Sequence, residues 1–216
     1  MKHSSLEATQ LVVRTIAQTA VDNEKYFGDL DAVVGDGDFG YSLARGFEKL
    51  LLDWDTLKHD TIGTFLKQVS IIITSRIGGT SGPIWGTAFL RAATTIGDKQ
   101  ELGKADVIVM LRAAIEGIKK RGQTDLGDKT LLDSLIPAVD QLEQAFNAAT
   151  DVPTALNQAA QVARERADAT RELVAKRGRA SYAGERSVGT LDAGAVAVAV
   201  MFEQVSSIWA QQEVQK

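Results

Sequence analysis

The sequence predicts an all-α protein of about eight amphipathic helices, and three observations carry this prediction. Only 3 prolines occur in 216 residues, and because proline breaks helix interiors, their rarity permits long helices. Much of the chain consists of Ala, Leu, Gln, Glu, Lys and Arg, which are good helix formers. Apolar residues recur at steps of three and four, and glycines fall in the connectors between these periodic segments.

These connectors bound the helices in chain order. The clearest apolar stripe lies in residues 105–120 and consists of Val107, Met110, Leu111, Ala114, Ile115 and Ile118. Residues 132–146 repeat this pattern, and Pro137 is expected to bend the helix there. Glycine-containing connectors end the other helices. The predicted helices span residues 5–26, 39–52, 61–76, 81–96, 104–120, 129–149, 153–176 and 188–212.

Two segments also fit a buried strand. Residues 71–73 are three isoleucines, and residues 195–200 alternate Ala with Val as a strand would. Both lie inside longer segments without turn signals, and alanine is a poor strand residue. We therefore expect helix at both places.

Composition narrows the class of protein. With 24 Lys+Arg against 28 Asp+Glu, the formal net charge is −4, which argues against binding nucleic acid or an anionic membrane surface. The absence of cysteine excludes disulfides, thiolate zinc sites and cysteine nucleophiles. We see no signal peptide and no apolar run near the ~20 residues that cross a bilayer. We expect a cytoplasmic protein without membrane insertion, forming one domain over residues 1–216.

The densest acidic and glycine-rich stretch runs from residue 30 to residue 40 and contains Asp31, Asp36 and Asp38. Its glycines satisfy the dinucleotide-binding pattern G-x-G-x-x-G, but two aspartates in the spacer would repel a pyrophosphate. A divalent cation between the carboxylates reverses that repulsion, so the three aspartates are candidate Mg²⁺ ligands. The alternative is a solvated acidic turn that caps the next helix.

Two further glycine motifs allow two interpretations each. Residues 122–130 resemble a Walker A loop with one residue too many, because Asp128 separates Gly127 from Lys129. We interpret them as a helix start capped by Asp128 or Thr130. Residues 77–83 form either an exposed helix N-terminus that binds anions or a plain turn between helices.

The last motif is the basic, glycine-rich stretch at residues 176–194. It fits a mobile loop that folds over phosphates, with arginine offsetting charge as a phosphoryl group transfers. An ordinary solvated loop is the alternative.

Together these stretches resemble the nucleotide-binding L subunit of bacterial dihydroxyacetone kinases over essentially the whole chain. The resemblance is carried by GDGDFG at 35–40, RGF at 45–47, GGTSGPIWGT at 78–87, RG and GDKT within 121–130, and GRASYAGERSVGTLDAG at 178–194. It implies a single-domain barrel of eight antiparallel amphipathic helices with ADP or ATP bound at one end.

The resemblance also implies the site residues. Two Mg²⁺ ions would be held by Asp31, Asp36 and Asp38. Phosphate contacts would come from the turn Phe39, Gly40, Tyr41 and Ser42, and from Thr80 and Ser81. The nucleotide would be lined by Gly122, Leu131, Arg179, Asp192, Ala193 and Gly194, with Arg179 near its phosphates. No catalytic residue is assigned within this chain.

The same resemblance implies partners. A separate K subunit would bind the ketose through a histidine, and a third, phosphohistidine-carrying subunit of the phosphotransferase system would recharge bound ADP in one version, while ATP exchanges in the other. A homodimer is also expected. Phe39 departs from the family pattern, where many L subunits have histidine; phenylalanine cannot hydrogen-bond a phosphate or titrate near neutrality.

Several functions stay open at this point. The departure at Phe39 is compatible with an ATP-exchanging form or with another ketose such as a tetrulose. A non-catalytic, nucleotide-responsive partner of a transcriptional regulator would share the same nucleotide site. The nucleotide domain of a fatty-acid kinase is less compatible, because the stretches at 127–130 and 178–187 favour the ketose family.

Overall fold

The computed structural model describes residues 4–214, and all regular secondary structure within that range is helical. The one domain expected over residues 1–216 extends at both ends beyond this range. The described part contains α1 (Ser5–Asp22), α2 (Glu24–Asp31), α3 (Phe39–Leu52), α4 (Ile62–Arg76), α5 (Ser81–Ile96), α6 (Lys104–Gly122), α7 (Leu132–Asn147), α8 (Val152–Ala169) and α9 (Ala193–Val214). Short 3₁₀ segments lie at Trp54–Thr56, Thr170–Glu172 and Arg179–Ser187.

The helices form a closed ring. From α3 to α9 each helix packs against the next, and α1 packs against both α3 and α9, so the ring closes. Helices that are adjacent both in sequence and in space, with short connections, run antiparallel. This confirms the predicted all-α barrel.

The prediction of one helix over residues 5–26 is wrong in one respect. The chain forms two helices there, α1 and α2, which are separated by Asn23, whose φ and ψ are −107° and 17°. The short α2 contacts α3 and α9, as the end of an unbroken helix would. The ring therefore keeps eight positions, with α1 and α2 sharing one.

Three other boundaries differ from the prediction, each with a local cause. The helix predicted from 129 begins at Leu132, because residues 124–131 form a turn around Asp133. The helix predicted to 176 ends at Ala169, where the Thr170 hydroxyl donates to the Ala167 carbonyl. The helix predicted from 188 begins at Ala193, because the Asp192 carboxylate accepts from the Ala195 N–H and caps the helix there.

Both segments that could have been strands are helical: residues 71–73 lie in α4 and residues 195–200 in α9. Ala195 to Ala199 are at most 4% exposed, so α9 is a core helix. This also corrects the expectation about apolar runs, since Ala193–Gln212 is long and apolar enough by composition to cross a membrane. Residues 195–201 are buried in the ring, and a helical segment buried on every side is hydrophobic all round.

Because neighbouring helices run antiparallel, the connections between them alternate between the two ends of the barrel. The loop end carries residues 32–38, 77–80, 123–131 and 170–192, and helices α3, α5, α7 and α9 begin there. The cap end carries residues 53–61, 97–103 and 148–151, and helices α1, α4, α6 and α8 begin there. The motifs at residues 30–40, 77–83, 122–130 and 176–194 therefore lie at the loop end, whereas RGF at 45–47 lies within α3.

Candidate functional site

The three aspartates of the acidic motif converge at the loop end. Asp31 is the last residue of α2, and Asp36 and Asp38 lie in the turn before α3. One carboxylate oxygen from each lies within 4.8 Å of the other two. The turn depends on glycine, since a Cβ atom at Gly35 would collide with the Asp31 carboxylate and Gly37 has a φ of +76°.

The charges in this triad repel one another. Burial raises the pKa of half-buried Asp31, and the negative charges of Asp36 and Asp38 raise it further, although the Phe39 N–H donates to its carboxylate at 3.4 Å. A cation between the carboxylates would relieve this repulsion. Three carboxylates on a tight turn are the oxygen ligands that Mg²⁺ accepts, so the residues fit such an ion.

Arg179 supplies part of the missing positive charge. Its Nε lies 2.9 Å from Asp36 Oδ2, which brings the basic loop of residues 176–187 across the loop end to the triad. Because both side chains are largely exposed, this ion pair contributes little stability. It does bring two of the predicted site residues together.

Hydroxyl groups and two helix N-termini lie beside the triad. The N-cap residues of α3 and α5, Asp38 and Thr80, make no side-chain capping bond. Within residues 4–214 the hydroxyls of Ser42, Thr80 and Ser81 donate no hydrogen bond to protein. A Cβ atom at Gly78 would lie 3.5 Å from Ser42 Oγ, so the turn before α5 adjoins the first turn of α3. Free N–H groups and hydroxyls in this arrangement can bind an anion.

Residues from two other loops meet at the start of α9. A Cβ atom at Gly194 would lie 3.4 Å from the Leu131 Cβ and 3.1 Å from Asp192 Oδ2, so these three residues adjoin. Ala193, next in the chain, is 7% exposed. Gly122 lies toward α5, where its Cβ would be 3.0 Å from Ile84 Cδ1.

Asp192 caps α9, and its surroundings disfavour its negative charge. It accepts a hydrogen bond from the Ala195 N–H at 2.7 Å. Desolvation raises its pKa to about 7, opposed by that hydrogen bond and by Lys129, while the charges of Asp133 and Asp31 raise it further. Of the triad, Asp31 makes a minor contribution to this raised pKa.

Three residues of the predicted phosphate turn have other structural roles. The Phe39 ring packs on Phe27, with ring centroids 6.3 Å apart, so only its N–H faces the triad. Gly40 permits close packing, since a Cβ atom there would collide with the Glu24 carbonyl. Tyr41 is 57% exposed and lies under the Arg45 guanidinium, at 5.1 Å.

Sequence reasoning missed the roles of Lys129 and Asp133. The N-cap residue is Leu131 and not Asp128 or Thr130, although the Thr130 hydroxyl accepts from the Leu132 N–H at 3.3 Å. The Asp133 carboxylate accepts from the N–H groups of Gly127 and Thr130. Lys129 is 2% exposed and donates to three carbonyls of the 170–192 segment. A lysine in a polar turn carries no periodic signal of burial, so its partners are visible only in the fold.

A ring of antiparallel helices with a carboxylate triad beside open helix N-termini is the arrangement of an all-α domain that can bind a divalent cation together with an anion. Residues 33–207 match the family model described as the DAK2 domain, and the chain belongs to this DAK2-domain family. It is 35% identical to the ADP-binding subunit of the PEP-dependent dihydroxyacetone kinase of Escherichia coli, over 94% of this chain and 97% of that subunit. The resemblance to L subunits is thereby confirmed.

Two longer relatives contain a matching region. The L-erythrulose kinase of Pectobacterium atrosepticum is 37% identical over 86% of this chain, which covers 32% of that enzyme. The crystal structure of the dihydroxyacetone kinase from C. freundii in complex with AMP-PNP and Mg²⁺ superposes with a TM-score of 0.73 at 24% identity, covering 96% of this chain and 35% of that one. At this identity the superposition supports the fold.

Proposed function

We propose that this chain is the nucleotide-binding subunit of a kinase for dihydroxyacetone or another short ketose, and that it acts only with a separate ketose-binding K subunit. The observation that carries the proposal is the carboxylate triad beside the open N-termini of α3 and α5. Similarity over nearly the whole length of an ADP-binding kinase subunit supports it. The nucleotide-binding domain would span residues 1–216.

Asp31, Asp36 and Asp38 would hold Mg²⁺. Two ions would fit, because the three carboxylates would share them with a polyphosphate. The bound metal would neutralise phosphate charge during transfer. The raised pKa of Asp31 supports this role, because it reports uncompensated negative charge in the triad. The C. freundii dihydroxyacetone kinase, which shares this fold, was solved in complex with AMP-PNP and Mg²⁺, and this supports a nucleotide with Mg²⁺ as the ligand.

The chain's own groups would bind and orient the nucleotide. The backbone at Phe39, Gly40 and Tyr41 and the hydroxyls of Ser42, Thr80 and Ser81 would contact phosphates at two helix N-termini. Arg179, next to the triad, would offset charge on the transferring phosphoryl group. The remaining nucleotide surface would come from Gly122, Leu131, Asp192, Ala193 and Gly194. This chain would contribute to catalysis by positioning the nucleotide and by stabilising charge electrostatically.

Exposed apolar side chains at the loop end favour docking of the K subunit there. Val33, Leu126 and Tyr182 are 63%, 54% and 88% exposed and lie in three different loops around the triad. A partner that carries the ketose has to approach the nucleotide at this end, and apolar groups are what such an interface buries.

A tetrulose is the second candidate substrate. The L-erythrulose kinase relative is 37% identical to this chain, so the phosphoryl acceptor could have four carbons. The choice would lie in the K subunit, which would hold the ketose.

The donor would be ATP that a phosphohistidine-carrying subunit of the phosphotransferase system regenerates from bound ADP. The names of the PEP-dependent Escherichia coli relative and the PTS-dependent Lactococcus lactis relative, both ADP-binding subunits, support this route. Retention of ADP by the purified chain through desalting supports this route, whereas loss of ADP supports exchange with ATP.

Two further expectations belong to the proposal. A homodimer would bury Ile71, Leu90 and Val109, which are exposed on the neighbouring helices α4, α5 and α6. The subunit would work in the cytoplasm, where its nucleotide is available.

The test is phosphoryl transfer in a reconstituted pair. Wild-type chain is mixed with a K subunit and either dihydroxyacetone or erythrulose. The donor is MgATP in one reaction and PEP with the phosphotransferase-system proteins, including the phosphohistidine-carrying subunit, in the other, and the phosphorylated ketose is measured. The proposal requires product that depends on both subunits. Nucleotide binding without product on either ketose would instead support a nucleotide-responsive regulatory partner and contradict the kinase assignment.

A further inference from the structure

Lys129, in the loop between α6 and α7, is a buried ammonium with three backbone partners. It is 2% exposed. Its Nζ donates to the carbonyls of Leu173, Ser187 and Thr190 at 3.2, 2.5 and 2.7 Å. A lysine ammonium has three N–H donors, so these bonds use its full capacity.

The three carbonyls lie near both ends of one irregular segment. Leu173 directly follows the 3₁₀ turn at Thr170–Glu172, while Ser187 and Thr190 lie shortly before α9. Residues 174–186 therefore form a loop whose two ends meet at one ammonium group. The Ala175 N–H, which donates to Ser187 Oγ at 2.9 Å, links the same two ends directly.

A lysine is an unfavourable residue at this buried position unless the link that it makes between the two ends of the loop is needed. Burial lowers the pKa of Lys129, because desolvation disfavours the charged form. Its hydrogen-bond partners are neutral carbonyls, and an apolar side chain of similar volume would avoid the desolvation. An apolar side chain could not, however, join the two ends of the loop.

We propose that Lys129 is a positioning residue for the nucleotide site: by joining both ends of loop 174–186 it holds Arg179 at the carboxylate triad and Asp192 at the start of α9. The Arg179 Nε lies 2.9 Å from Asp36, and Thr190 is two residues from Asp192. This inference rests on the proposed function, because these two residues matter for a nucleotide only if one binds there.

The test compares Lys129→Met with wild type and with a matched control. Lys104→Met is the control, because the Lys104 Nζ also donates to a backbone carbonyl, that of Thr150, at 2.6 Å, but at the cap end. Two quantities are measured on each folded protein: the rate of trypsin cleavage after Lys176, Arg177, Arg179 and Arg186, and the affinity for MgATP by calorimetry. Circular dichroism and thermal unfolding establish that each variant is folded under the assay conditions.

Lys129→Met should speed cleavage in loop 174–186 by about tenfold or more, since local opening controls proteolysis. It should weaken MgATP binding by about tenfold, because displaced binding groups lose most of their contribution. Lys104→Met should leave both quantities within about twofold of wild type, in line with an exposed surface bond. Wild-type cleavage and affinity in folded Lys129→Met would overturn the proposal.

The absence of cysteine permits a rescue experiment. Lys129→Cys, unfolded, alkylated with bromoethylamine and refolded, carries a side chain with the length and ammonium group of lysine. This product should recover slow cleavage and tight binding, whereas alkylation with bromopropane, which adds no ammonium, should not. Equal behaviour of the two alkylated proteins would overturn the proposal.

A milder variant covers the case in which Lys129→Met does not fold. Lys129→Gln keeps two N–H donors and should show intermediate cleavage and affinity, and wild-type values in both would contradict the proposal. The protease measurement needs no nucleotide. Failure of wild type to bind MgATP would therefore refute the proposed function, while an unchanged cleavage pattern would refute the role of Lys129.

Discussion

The helix N-termini at the cap end are mostly capped by side chains, whereas two of those at the loop end are not. At the cap end the side chains of Ser4, Thr61 and Asp151 accept hydrogen bonds from the first turns of α1, α4 and α8. At the loop end Asp192 caps α9, but α3 and α5 begin at Asp38 and Thr80, whose side chains make no capping bond. The Phe39 N–H of α3 donates instead to Asp31 of the triad. The unsatisfied N–H groups of a helix start bind a side chain, water or a ligand. The comparison indicates that one end is built for stability and the other for a ligand.

The site carboxylates Asp31 and Asp192 differ from those at the cap end, and also from Asp125 and Asp128 at the loop end, whose pKa values hydrogen bonds lower. At the cap end, Lys99 and the Gly103 N–H lower the pKa of Asp106, and hydrogen bonds from Thr154 lower that of Asp151. At the loop end, burial and like charges raise the pKa of Asp31 and Asp192. Asp106 and Asp151 are therefore stabilised as anions by the fold itself. For Asp31 and Asp192 the neighbouring N–H groups, and for Asp192 also the Lys129 charge, do not offset burial and like charges.

The largest effect is expected from the triad. Asp36→Asn or Asp38→Asn should weaken Mg²⁺-dependent nucleotide binding by more than about 100-fold, beyond the cost typical of residues that only support a metal ligand. Neither variant should lose stability, because each removes a repelling charge from the triad. Calorimetry and urea unfolding measure the two quantities. Asp151→Asn at the cap end is the control and should leave nucleotide affinity unchanged.

Removing the threonine hydroxyl at one helix start of each kind should give a smaller effect. Thr61→Ala should lower the free energy of unfolding by about 1 kcal/mol, the usual value of an N-cap bond, without changing nucleotide affinity. Thr80→Ala should leave stability unchanged but weaken nucleotide binding by about threefold to tenfold, the worth of one hydrogen bond. Loss of stability in Thr80→Ala with normal binding would contradict the contrast between the ends.

The smallest effect is a pH dependence of stability. Between the unfolded pKa of an aspartate, about 4, and the folded pKa of Asp192, about 7, the native state binds the extra proton. This group's contribution to stability therefore falls as pH rises through that range. Asp192→Asn keeps an oxygen that can accept from the Ala195 N–H and removes the titration.

Urea unfolding without metal or nucleotide measures this dependence. Asp192→Asn should match wild type near the low end of the range and exceed it increasingly toward the high end. A difference that does not change with pH would show that Asp192 ionises normally in the folded protein.

Sequence reasoning reached the parts of this molecule that local patterns encode. Three-and-four periodicity and the placement of glycines predicted the helical ring, and the spacing of Asp31, Asp36 and Asp38 predicted that their carboxylates converge. Whether they bind metal stays a prediction. The break at Asn23 and the start of α9 were missed, because a cap depends on which N–H groups a side chain reaches in the folded chain.

The role of Lys129 was also beyond local patterns. Its partners lie 44 to 61 residues away in the chain, so only the tertiary fold brings them together. In the sequence, Lys129 lies in an imperfect match to a phosphate-binding loop, whereas in the structure its three N–H donors bind backbone carbonyls.

The central claim is that the carboxylate triad clamps magnesium against the phosphates of a nucleotide, and titration calorimetry of wild-type chain with ATP tests it most directly. With millimolar Mg²⁺ we expect saturable binding of one nucleotide per chain, and with EDTA in place of the metal we expect that binding to be lost. Equal heats under the two conditions, or no binding even at millimolar Mg²⁺, would contradict the account.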